Sequence, residues 1–231
     1  MRGAAGPRAL FFDDNSPQVL ENRYRGAAGS SVMHTTQAGM VHHMRSRRHS
    51  REDEAARRLW QHPESILEGI GLAPGGTFID VGCGDGFFAL PAARMVKPHG
   101  RVCGIDIDAE ALDLLQEKAF REGLDNVVLH QGMAEEIVLC DGCADVVFFG
   151  IDLHDFADPV RVLANAKRMA SPAGLIVDVD WKKEPLPLGP PPAKKFSTEH
   201  AASLMAEAGL RVTAIAESGP YHYIITAVPG P

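Results

Sequence analysis

From residue 77 onward the sequence alternates between short apolar runs rich in β-branched residues and longer segments with helical periodicity. The apolar runs predict strands at residues 77–81, 101–106, 126–130, 144–149 and 174–179. The periodic segments predict helices at residues 87–96, 109–122, 159–169 and 198–208. Alternating units of this kind predict a largely parallel sheet with helices on both faces.

The C-terminal part of the sequence departs from this alternation. Two further predicted strands, residues 211–215 and 221–228, are separated only by the turn Ser218-Gly219-Pro220. A connection this short requires antiparallel strands. The sequence therefore predicts an α/β fold with a seven-stranded, mostly parallel sheet and a C-terminal antiparallel hairpin, which ordinary dinucleotide-binding domains usually lack.

The N-terminal segment has a different character. Residues 1–45 are rich in Gly, Ala, Ser and Arg and show no sustained periodicity, so we expect a poorly ordered extension followed by one domain over residues 46–231. That domain should begin with helical segments between residues 52 and 71, broken near His62-Pro63.

Charge is distributed unevenly along the chain. The first 51 residues hold 8 arginines and 3 acidic residues, a net +5, which leaves −12 for the rest of a chain whose net charge is −7. An acidic body argues against a nucleic-acid partner. The basic stretch at residues 45–51 could bind a phosphate, but a solvated segment is the simpler interpretation.

Apolar runs and cysteines bear on location. No apolar run approaches the roughly 18 residues of a membrane span, and four cysteines in 231 residues do not resemble a disulfide framework. These features favour a cytoplasmic protein without a membrane span.

A glycine-rich loop follows the first predicted strand. Its sequence, residues 79–86, is Ile-Asp-Val-Gly-Cys-Gly-Asp-Gly. Glycines at a strand-to-helix turn let the backbone pass close beneath a ligand. Asp106, which ends the second predicted strand 22 residues after Gly84, can accept hydrogen bonds from the ribose hydroxyls of an adenosine-type cofactor.

These segments resemble motifs I and II of the class I S-adenosylmethionine-dependent methyltransferases, which have a Rossmann-like fold. Residues 153–159, Leu-His-Asp-Phe-Ala-Asp-Pro, resemble the segment after strand four in the group that includes quinone-biosynthesis methyltransferases, and residues 171–174 resemble the turn before strand five. The resemblance covers roughly residues 60–230. It implies S-adenosyl-L-methionine as cofactor, bound by Asp80, Gly82, Cys83, Gly84, Gly86, Asp106, Ile107, Met133, Ala134 and Gly150.

Two observations bear on which cofactor the glycine loop binds and how adenine is held. Many relatives carry an acid before the Ala that follows strand three, where this chain has Met133, which cannot accept a strong hydrogen bond from adenine. Ile107 and Met133 could instead pack on the ring. Residues 84–89 also fit the Gly-x-Gly-x-x-Ala form of NAD-binding loops, but Asp80, the alternate glycines and the terminal hairpin favour the methyl donor.

His154 is the candidate catalytic residue. It follows strand four, where the transferable methyl should project, and it is either a general base or a structural histidine of the pocket wall. Asp152 or Asp155 could orient it or cap the following helix. Among Tyr221, His222 and Tyr223, alternation along the last strand places His222 on the opposite face from both tyrosines, and sheet packing is the expected role of all three.

Two further segments have distinctive composition. Cys140-Asp141-Gly142-Cys143 lacks a second cysteine pair for zinc and does not open a helix as redox pairs do, so we expect a turn with two reduced cysteines and no metal. Residues 184–192 contain five prolines and should form a stiff segment near Trp181, either a lid over an acceptor pocket or a rigid connector.

Two functions remain open at this point. The first is methyl transfer to a small-molecule acceptor, quinone-like or otherwise apolar. The second is S-adenosylmethionine binding without catalysis, as in a regulatory or partner subunit. The sequence leaves the acceptor atom and the oligomeric state open.

Overall fold

The description of the fold rests on a computed structural model, which describes residues 51–231 and the side chains from Glu54 onward. The extension predicted for residues 1–45 and nearly all of the basic stretch lie outside the described residues.

A single seven-stranded sheet forms the centre of the domain, in the strand order β3-β2-β1-β4-β5-β7-β6. Strands β1 to β5 are parallel, and β7 runs antiparallel to both β5 and β6. This arrangement confirms the predicted fold class, including the C-terminal hairpin. The strands are β1 Thr77–Val81, β2 Arg101–Asp106, β3 Val127–Gln131, β4 Ala144–Gly150, β5 Ala170–Trp181, β6 Leu210–Ser218 and β7 His222–Pro229.

Helices cover both faces of the sheet. They are α1 Arg51–Arg58, α2 Pro63–Gly69, α3 Ala89–Met95, α4 Ala109–Arg121, α5 Pro159–Met169 and α6 Thr198–Glu207. Side-chain oxygens cap three of them: Asp108 for α4, Asp158 for α5 and Ser197 for α6. Each cap satisfies amide groups that the first helical turn leaves without a partner, which fixes where the helix begins.

The core has two layers, one on each side of the sheet. On one side, α3 and α4 pack their apolar stripes on the alternate residues of the strands, among them Phe78 and Phe148. On the other, α5 and α6 pack against Ile79 and Phe149. Successive strand residues point to opposite faces, which explains why the parallel strands are apolar at nearly every position.

Strand β5 begins earlier than the sequence predicts. Ala144 pairs with Ala170, and the next pair along the ladder is Val146 with Leu175. Residues 171–174 therefore bulge from the ladder instead of preceding the strand as a free turn. A Cβ at Gly174 would collide with the carbonyl oxygen of Ala144, so this position requires glycine.

The carboxyl ends of the five parallel strands share one edge of the sheet. The glycine loop, Asp106, the turn after β4 and Trp181 all lie along this edge. Ligands of open α/β sheets bind outside the carboxyl ends of the strands, where the strand order reverses. Here that reversal lies between β1 and β4. None of the helices between residues 51 and 231 combines the length and apolar character of a membrane span.

Candidate active site

The glycine loop joins β1 to α3 in a conformation that requires glycine. Gly82, Gly84 and Gly86 all have positive φ angles, of 74°, 51° and 97°. A Cβ at Gly82 would collide with the carboxylate of Asp152, and one at Gly86 would collide with Leu115. A Cβ at Gly84 would meet no described atom within 4 Å. Side chains therefore fill the space next to Gly82 and Gly86, whereas the space next to Gly84 is open.

Asp106 is fixed against this loop. One of its carboxylate oxygens accepts a hydrogen bond from the Gly84 amide at 2.7 Å, and the other accepts one from the Asp108 amide at 2.9 Å. Each carboxylate oxygen can accept a second hydrogen bond. The structure thus brings the two strongest sequence features together and leaves acceptor capacity for the hydroxyls of a ribose.

Exposed apolar side chains lie beside Asp106. Ile107 follows it directly and is 66% exposed. Met133 is 42% exposed, and its segment is joined to β2 by the bond from the Gly132 amide to the Asp106 carbonyl oxygen, 2.9 Å long. Two exposed apolar groups next to a carboxylate form a surface that a flat ring such as adenine can cover.

Three predicted cofactor residues have side chains or Cβ positions turned into the core. The thiol of Cys83 packs beneath Gly104, Ala134 belongs to the core on the α5 side, and Gly150 packs against the ring of Phe88. These positions can meet a cofactor only through backbone atoms, and none of them presents a reactive side chain.

Asp80, at the loop entrance, is buried, and its Oδ2 has no hydrogen-bond partner among residues 54–231. Burial, helped by the nearby charge of Asp106, raises the pKa of Asp80 to about 8. A carboxyl group of this kind would be stabilised in its ionised form by a cationic ligand.

The turn after β4 contains a backbone outlier. Ile151 has a φ of 74°, a region that β-branched residues rarely adopt and that costs about 1–3 kcal/mol. This turn directs Asp152 against Gly82. Both Asp152 oxygens are buried, and neither has a hydrogen-bond partner within the described chain. The predicted roles of Asp152, to orient His154 or to cap a helix, are both wrong, since its side chain forms neither bond.

His154 is oriented by Asp180, which the sequence did not single out. Its Nδ1 lies 2.8 Å from the Asp180 carboxylate, and the two side chains are 3% and 1% exposed. Burial alone would lower the pKa of His154, but the hydrogen bond and charge of Asp180 raise it overall. A hydrogen bond from Nδ1–H to a carboxylate leaves Nε2 as the basic nitrogen. Asp155, the other predicted partner, is 3.7 Å from Nε2 and mostly exposed.

Arg57 on α1 is a second residue that the sequence did not single out. Its guanidinium lies 3.8 Å from the Phe87 ring centroid, and its Nε donates to Gln61 at 2.7 Å. Burial lowers the pKa of Arg57 to about 10, against the opposing effect of nearby acids, first among them Asp85. Its Nη2 is buried without a hydrogen-bond partner among the residues that the structure describes.

An aromatic cluster forms the far side of the same edge. Trp60 stacks on His222 at 5.3 Å between ring centroids, and Trp181 lies 4.3 Å from His222. Burial, with the charge of Arg57, lowers the pKa of His222 to about 3, so this ring is neutral. Tyr221 precedes β7, and its ring contacts those of Trp60 and His222. The alternation of strand residues had instead placed Tyr221 on the face of the sheet opposite His222, together with Tyr223. The expectation for Tyr221 was wrong because the strand begins one residue later.

The proline-rich segment passes over Trp181. A Cβ at Gly189 would lie 2.8 Å from the Trp181 ring, so the segment rests directly on the indole. Lys195 is buried beneath the segment, donates to the Glu184 carbonyl oxygen at 3.1 Å and places its Nζ 5.5 Å from the Trp181 ring centroid. These contacts hold the two ends of the segment together next to Trp181.

The expectation of reduced cysteines at the Cys-x-x-Cys turn was also wrong. Cys140 and Cys143 form a disulfide, located before β4 and therefore at the end of the sheet away from the glycine loop. Composition favoured free thiols, whereas backbone bonds from Gly142 and Cys143 to the end of α5 hold the turn closed. Within the described residues, no cluster of three or more His, Cys, Asp or Glu side chains is arranged to hold a metal ion.

Comparison with known proteins identifies the family of this fold and loop. A family model described as a methyltransferase domain matches residues 72–219. The chain belongs to the class I S-adenosylmethionine-dependent methyltransferases. The crystal structure of a SAM dependent methyltransferase from Aquifex aeolicus is 33% identical, with a TM-score of 0.71 over 74% of this chain and 92% of that one. The chain thus carries the methyltransferase domain of a family whose cofactor is S-adenosylmethionine.

Other relatives share less of their length or sequence with this chain. Demethylmenaquinone methyltransferase of Staphylococcus aureus (strain JH9) is 28% identical over 131 residues, which are 57% of this chain and 53% of the relative. The chain therefore spans about half the length of the curated relatives it matches. The cyclase SpnF has a TM-score of 0.65 at 18% identity, over 78% of this chain and 84% of that one, a likeness of fold alone.

The residues present fit the methyl donor. Asp106 retains acceptor capacity beside the open glycine, and Ile107 and Met133 offer an apolar surface. The carboxyl oxygens of Asp80 and Asp152 that have no partner within the described chain suit a cationic group. Each of these features matches one part of S-adenosylmethionine: ribose, adenine, and the positively charged sulfonium and amino-acid end.

Proposed function

We propose that this protein transfers a methyl group from S-adenosylmethionine to a small-molecule acceptor and that His154 is the general base. The observation that carries the proposal is the buried His154–Asp180 pair at the edge that also holds the glycine loop. When bound, the cofactor supplies an activated methyl group on a sulfonium. The protein has to bind, orient and exclude water, and to remove a proton where the acceptor is protonated.

Removal of that proton is the step that these residues support. Asp180 accepts a hydrogen bond from Nδ1–H of His154, so the neutral ring presents Nε2 to an acceptor hydroxyl. The carboxylate then stabilises the imidazolium that forms on proton transfer. An exposed histidine would lack both the fixed tautomer and this stabilisation.

An apolar, aromatic acceptor fits the surroundings best. Apolar and aromatic groups lie at this edge: Tyr221 is partly exposed, and the proline-rich segment covers the buried Trp181. The demethylmenaquinone methyltransferase relative acts, by its name, on a quinone-type molecule. We therefore propose a reduced quinone or another phenol as the acceptor class. We also propose that the protein has no nucleic-acid partner and that it is located in the cytoplasm.

The test is methyl transfer from labelled S-adenosylmethionine to a panel of hydroquinones and phenols. His154→Ala should lower kcat by roughly 100-fold or more while the affinity for S-adenosylhomocysteine changes little. Higher pH should partly rescue this variant with acidic phenols, which ionise without a base. His99→Ala is the matched control, because this exposed histidine precedes β2, at the end of the sheet away from the glycine loop, and its loss should leave kcat within about 2-fold.

The pH profile separates a base from a pocket wall. Protonated imidazole cannot accept a proton, so kcat should fall below the pKa of His154, which Asp180 raises above the ordinary 6.5. Asp180→Asn removes the carboxylate that raises the pKa of His154, so that burial, which lowers this pKa, is the larger remaining effect. The acidic limb of the profile should therefore move to lower pH as the plateau falls. An acidic limb that stays in place in Asp180→Asn would rule out His154 as the base.

A second candidate function is cofactor binding without catalysis. Met133 offers no strong acceptor to the adenine amino group, and the cyclase SpnF shares the fold without being named a methyltransferase. This alternative predicts clear binding of S-adenosylhomocysteine with no turnover across the whole acceptor panel and no effect of His154→Ala.

A further inference from the structure

Two buried polar side chains near the end of α1 and the start of β7 lack hydrogen-bond partners. They are Gln61, whose Nε2 no residue between 54 and 231 satisfies, and His222, for which the same holds at both ring nitrogens. Gln61 is 2% exposed and His222 is fully buried. Buried polar atoms in native proteins nearly always have a partner. These three atoms are therefore candidates for contact with a ligand.

Arg57 fixes the orientation of the Gln61 side chain. Its Nε donates to the Gln61 Oε1 at 2.7 Å, and its carbonyl oxygen accepts from the Gln61 amide at 2.9 Å. A guanidinium only donates, so the amide oxygen of Gln61 has to face it and the NH2 group has to point away. Arg57 is thus a positioning residue that presents the Gln61 NH2 group as a free donor.

Two indole rings hold the imidazole of His222. Trp60 stacks on it at 5.3 Å between ring centroids, with 18° between the planes, and Trp181 lies 4.3 Å away. The ring is neutral because burial, and then nearby positive charge, lowers the pKa of His222 to about 3. A neutral imidazole carries one N–H donor and one lone pair. His222 therefore adds a second free donor at a fixed position.

These side chains form one group, which we call the His222 cluster: Arg57, Trp60, Gln61, Trp181 and His222. Gln61 directly follows Trp60, whose ring contacts His222. Arg57, which holds Gln61, is also the charged side chain with the largest effect on the pKa of His222. The two free donors consequently lie beside the same aromatic rings.

The charge around this cluster is positive. The charged side chains that act on His222 are Arg57, Lys195 and Lys182. Lys182 pairs with Glu217 at 3.1 Å, and acids, first among them Asp85, act on Arg57. Lys195 is 1% exposed, donates to the Glu184 carbonyl oxygen and forms no ion pair with a carboxylate of the described chain. Free donors beside a buried cation suit an anionic oxygen group.

We propose that Gln61 and His222 bind a carboxylate of the acceptor, which is then an aromatic hydroxy acid with its hydroxyl group at His154. This inference rests on the proposed function and narrows its acceptor class. Trp181 directly follows Asp180, the partner of His154, and pairs with His222 between β5 and β7. The hydroxyl and carboxylate ends of one aromatic molecule are thus bound at neighbouring positions of the same sheet edge.

The proline-rich segment covers this site. A Cβ at Gly189 would lie 2.8 Å from the Trp181 ring, and the bond from Lys195 to Glu184 holds the two ends of the segment together. Because Gln61 and His222 are buried, an acceptor reaches them only when a covering segment moves. The segment over Trp181 is the element that has to open.

Tryptophan fluorescence reports on this cluster directly, because the only two tryptophans of the chain, Trp60 and Trp181, both flank His222. The full chain, saturated with S-adenosylhomocysteine, is titrated with hydroxybenzoates and hydroxynaphthoates, with their methyl esters, and with the corresponding methyl-substituted phenols and naphthols. The variants are Gln61→Glu and His222→Phe. The matched controls are the same changes at exposed positions, Gln116→Glu on α4 and His99→Phe before β2.

The hydroxy acids should bind the unaltered chain roughly 10-fold or more tightly than their esters. Gln61→Glu keeps the shape of the side chain and the bond from Arg57 but replaces the NH2 group by oxygen. It should weaken binding of the acids on the order of 10–100-fold and leave the uncharged ligands within about 2-fold. The two controls should behave like the unaltered chain.

His222→Phe separates binding from a structural role. The phenyl ring keeps the stack between the two indoles and removes both unsatisfied nitrogens, so the melting temperature should stay the same or rise. The preference for the acids over the esters should nevertheless be lost. A lower melting temperature with this preference intact would mean that His222 only maintains the fold.

Other outcomes also overturn the inference. Equal affinities for acids, esters and methyl-substituted phenols would mean that the free donors bind water and not the acceptor. No change in fluorescence with any compound would place the acceptor away from the His222 cluster. Label transfer to uncharged phenols as efficient as to the acids would refute the inference and leave the proposed function standing. Absence of S-adenosylhomocysteine binding by the unaltered chain would instead refute the proposed function itself.

Discussion

Replacement of Asp106 by alanine separates the structural from the ligand-binding contribution of one carboxylate. In the free protein the change removes the bonds from the Gly84 and Asp108 amides, 2.7 and 2.9 Å long. Two such bonds near the surface should cost roughly 1–2 kcal/mol of unfolding free energy. Loss of the acceptor for the ribose hydroxyls should cost a further 2–3 kcal/mol of binding, by order of magnitude. The dissociation constant for S-adenosylhomocysteine should therefore rise on the order of 30–150-fold.

Calorimetry for affinity and thermal unfolding for stability provide the two readouts. Asp106→Asn keeps one oxygen acceptor and should show a smaller loss of affinity than Asp106→Ala. Asp108→Ala is the control for damage to the fold, because it removes the cap of α4 at a cost of about 1 kcal/mol without touching the proposed ribose contact. An Asp106→Ala protein that folds and binds S-adenosylhomocysteine like the unaltered chain would place the cofactor elsewhere.

Four further changes test other parts of the account. Gly84→Val adds a Cβ that meets no described atom within 4 Å but holds a β-branched residue at a φ of 51°. It should therefore lower the melting temperature and lose cofactor affinity at least as severely as Asp106→Ala, as thermal unfolding and calorimetry would show. Reduction of the Cys140–Cys143 disulfide should lower the unfolding free energy by at most about 2 kcal/mol, because the closed loop is short, and leave cofactor affinity unchanged. Gly189→Ala should displace the proline-rich segment from Trp181 and change the acceptor KM in preference to the cofactor affinity, or else the segment is only a connector. Deletion of residues 1–39 should leave the melting temperature unchanged, because their sequence lacks apolar periodicity; a fall of several degrees would show that they pack on the domain.

The sequence predicts most of the fold because the sheet is parallel and buried. Its strands appear as apolar runs bounded by turns, and the short Ser218–Pro220 connection requires the antiparallel hairpin. The start of β5 was missed because residues 171–174 look like a turn, and only pairing with β4 shows that they are a bulge within the strand. Tyr221 was misplaced because it lies in the turn before β7, where the alternation of strand residues no longer applies.

The site is predictable only where its residues belong to one local motif. The contact of Gly84 with Asp106 follows from the length of one strand-helix-strand unit. The partner of His154 is 26 residues away on the neighbouring strand, and local spacing instead favoured Asp152 or Asp155. Arg57 reaches the glycine loop from a helix outside the sheet motif, and no periodicity or spacing connects the two.

Calorimetry of the unaltered chain with S-adenosylmethionine, S-adenosylhomocysteine and NAD, followed by turnover of the labelled methyl group, decides whether the protein binds and uses the methyl donor. The account predicts micromolar binding of the methyl donor, competition by S-adenosylhomocysteine, no comparable binding of NAD, and transfer of label to at least one phenolic acceptor. Clear binding of NAD without heat from S-adenosylmethionine would contradict it.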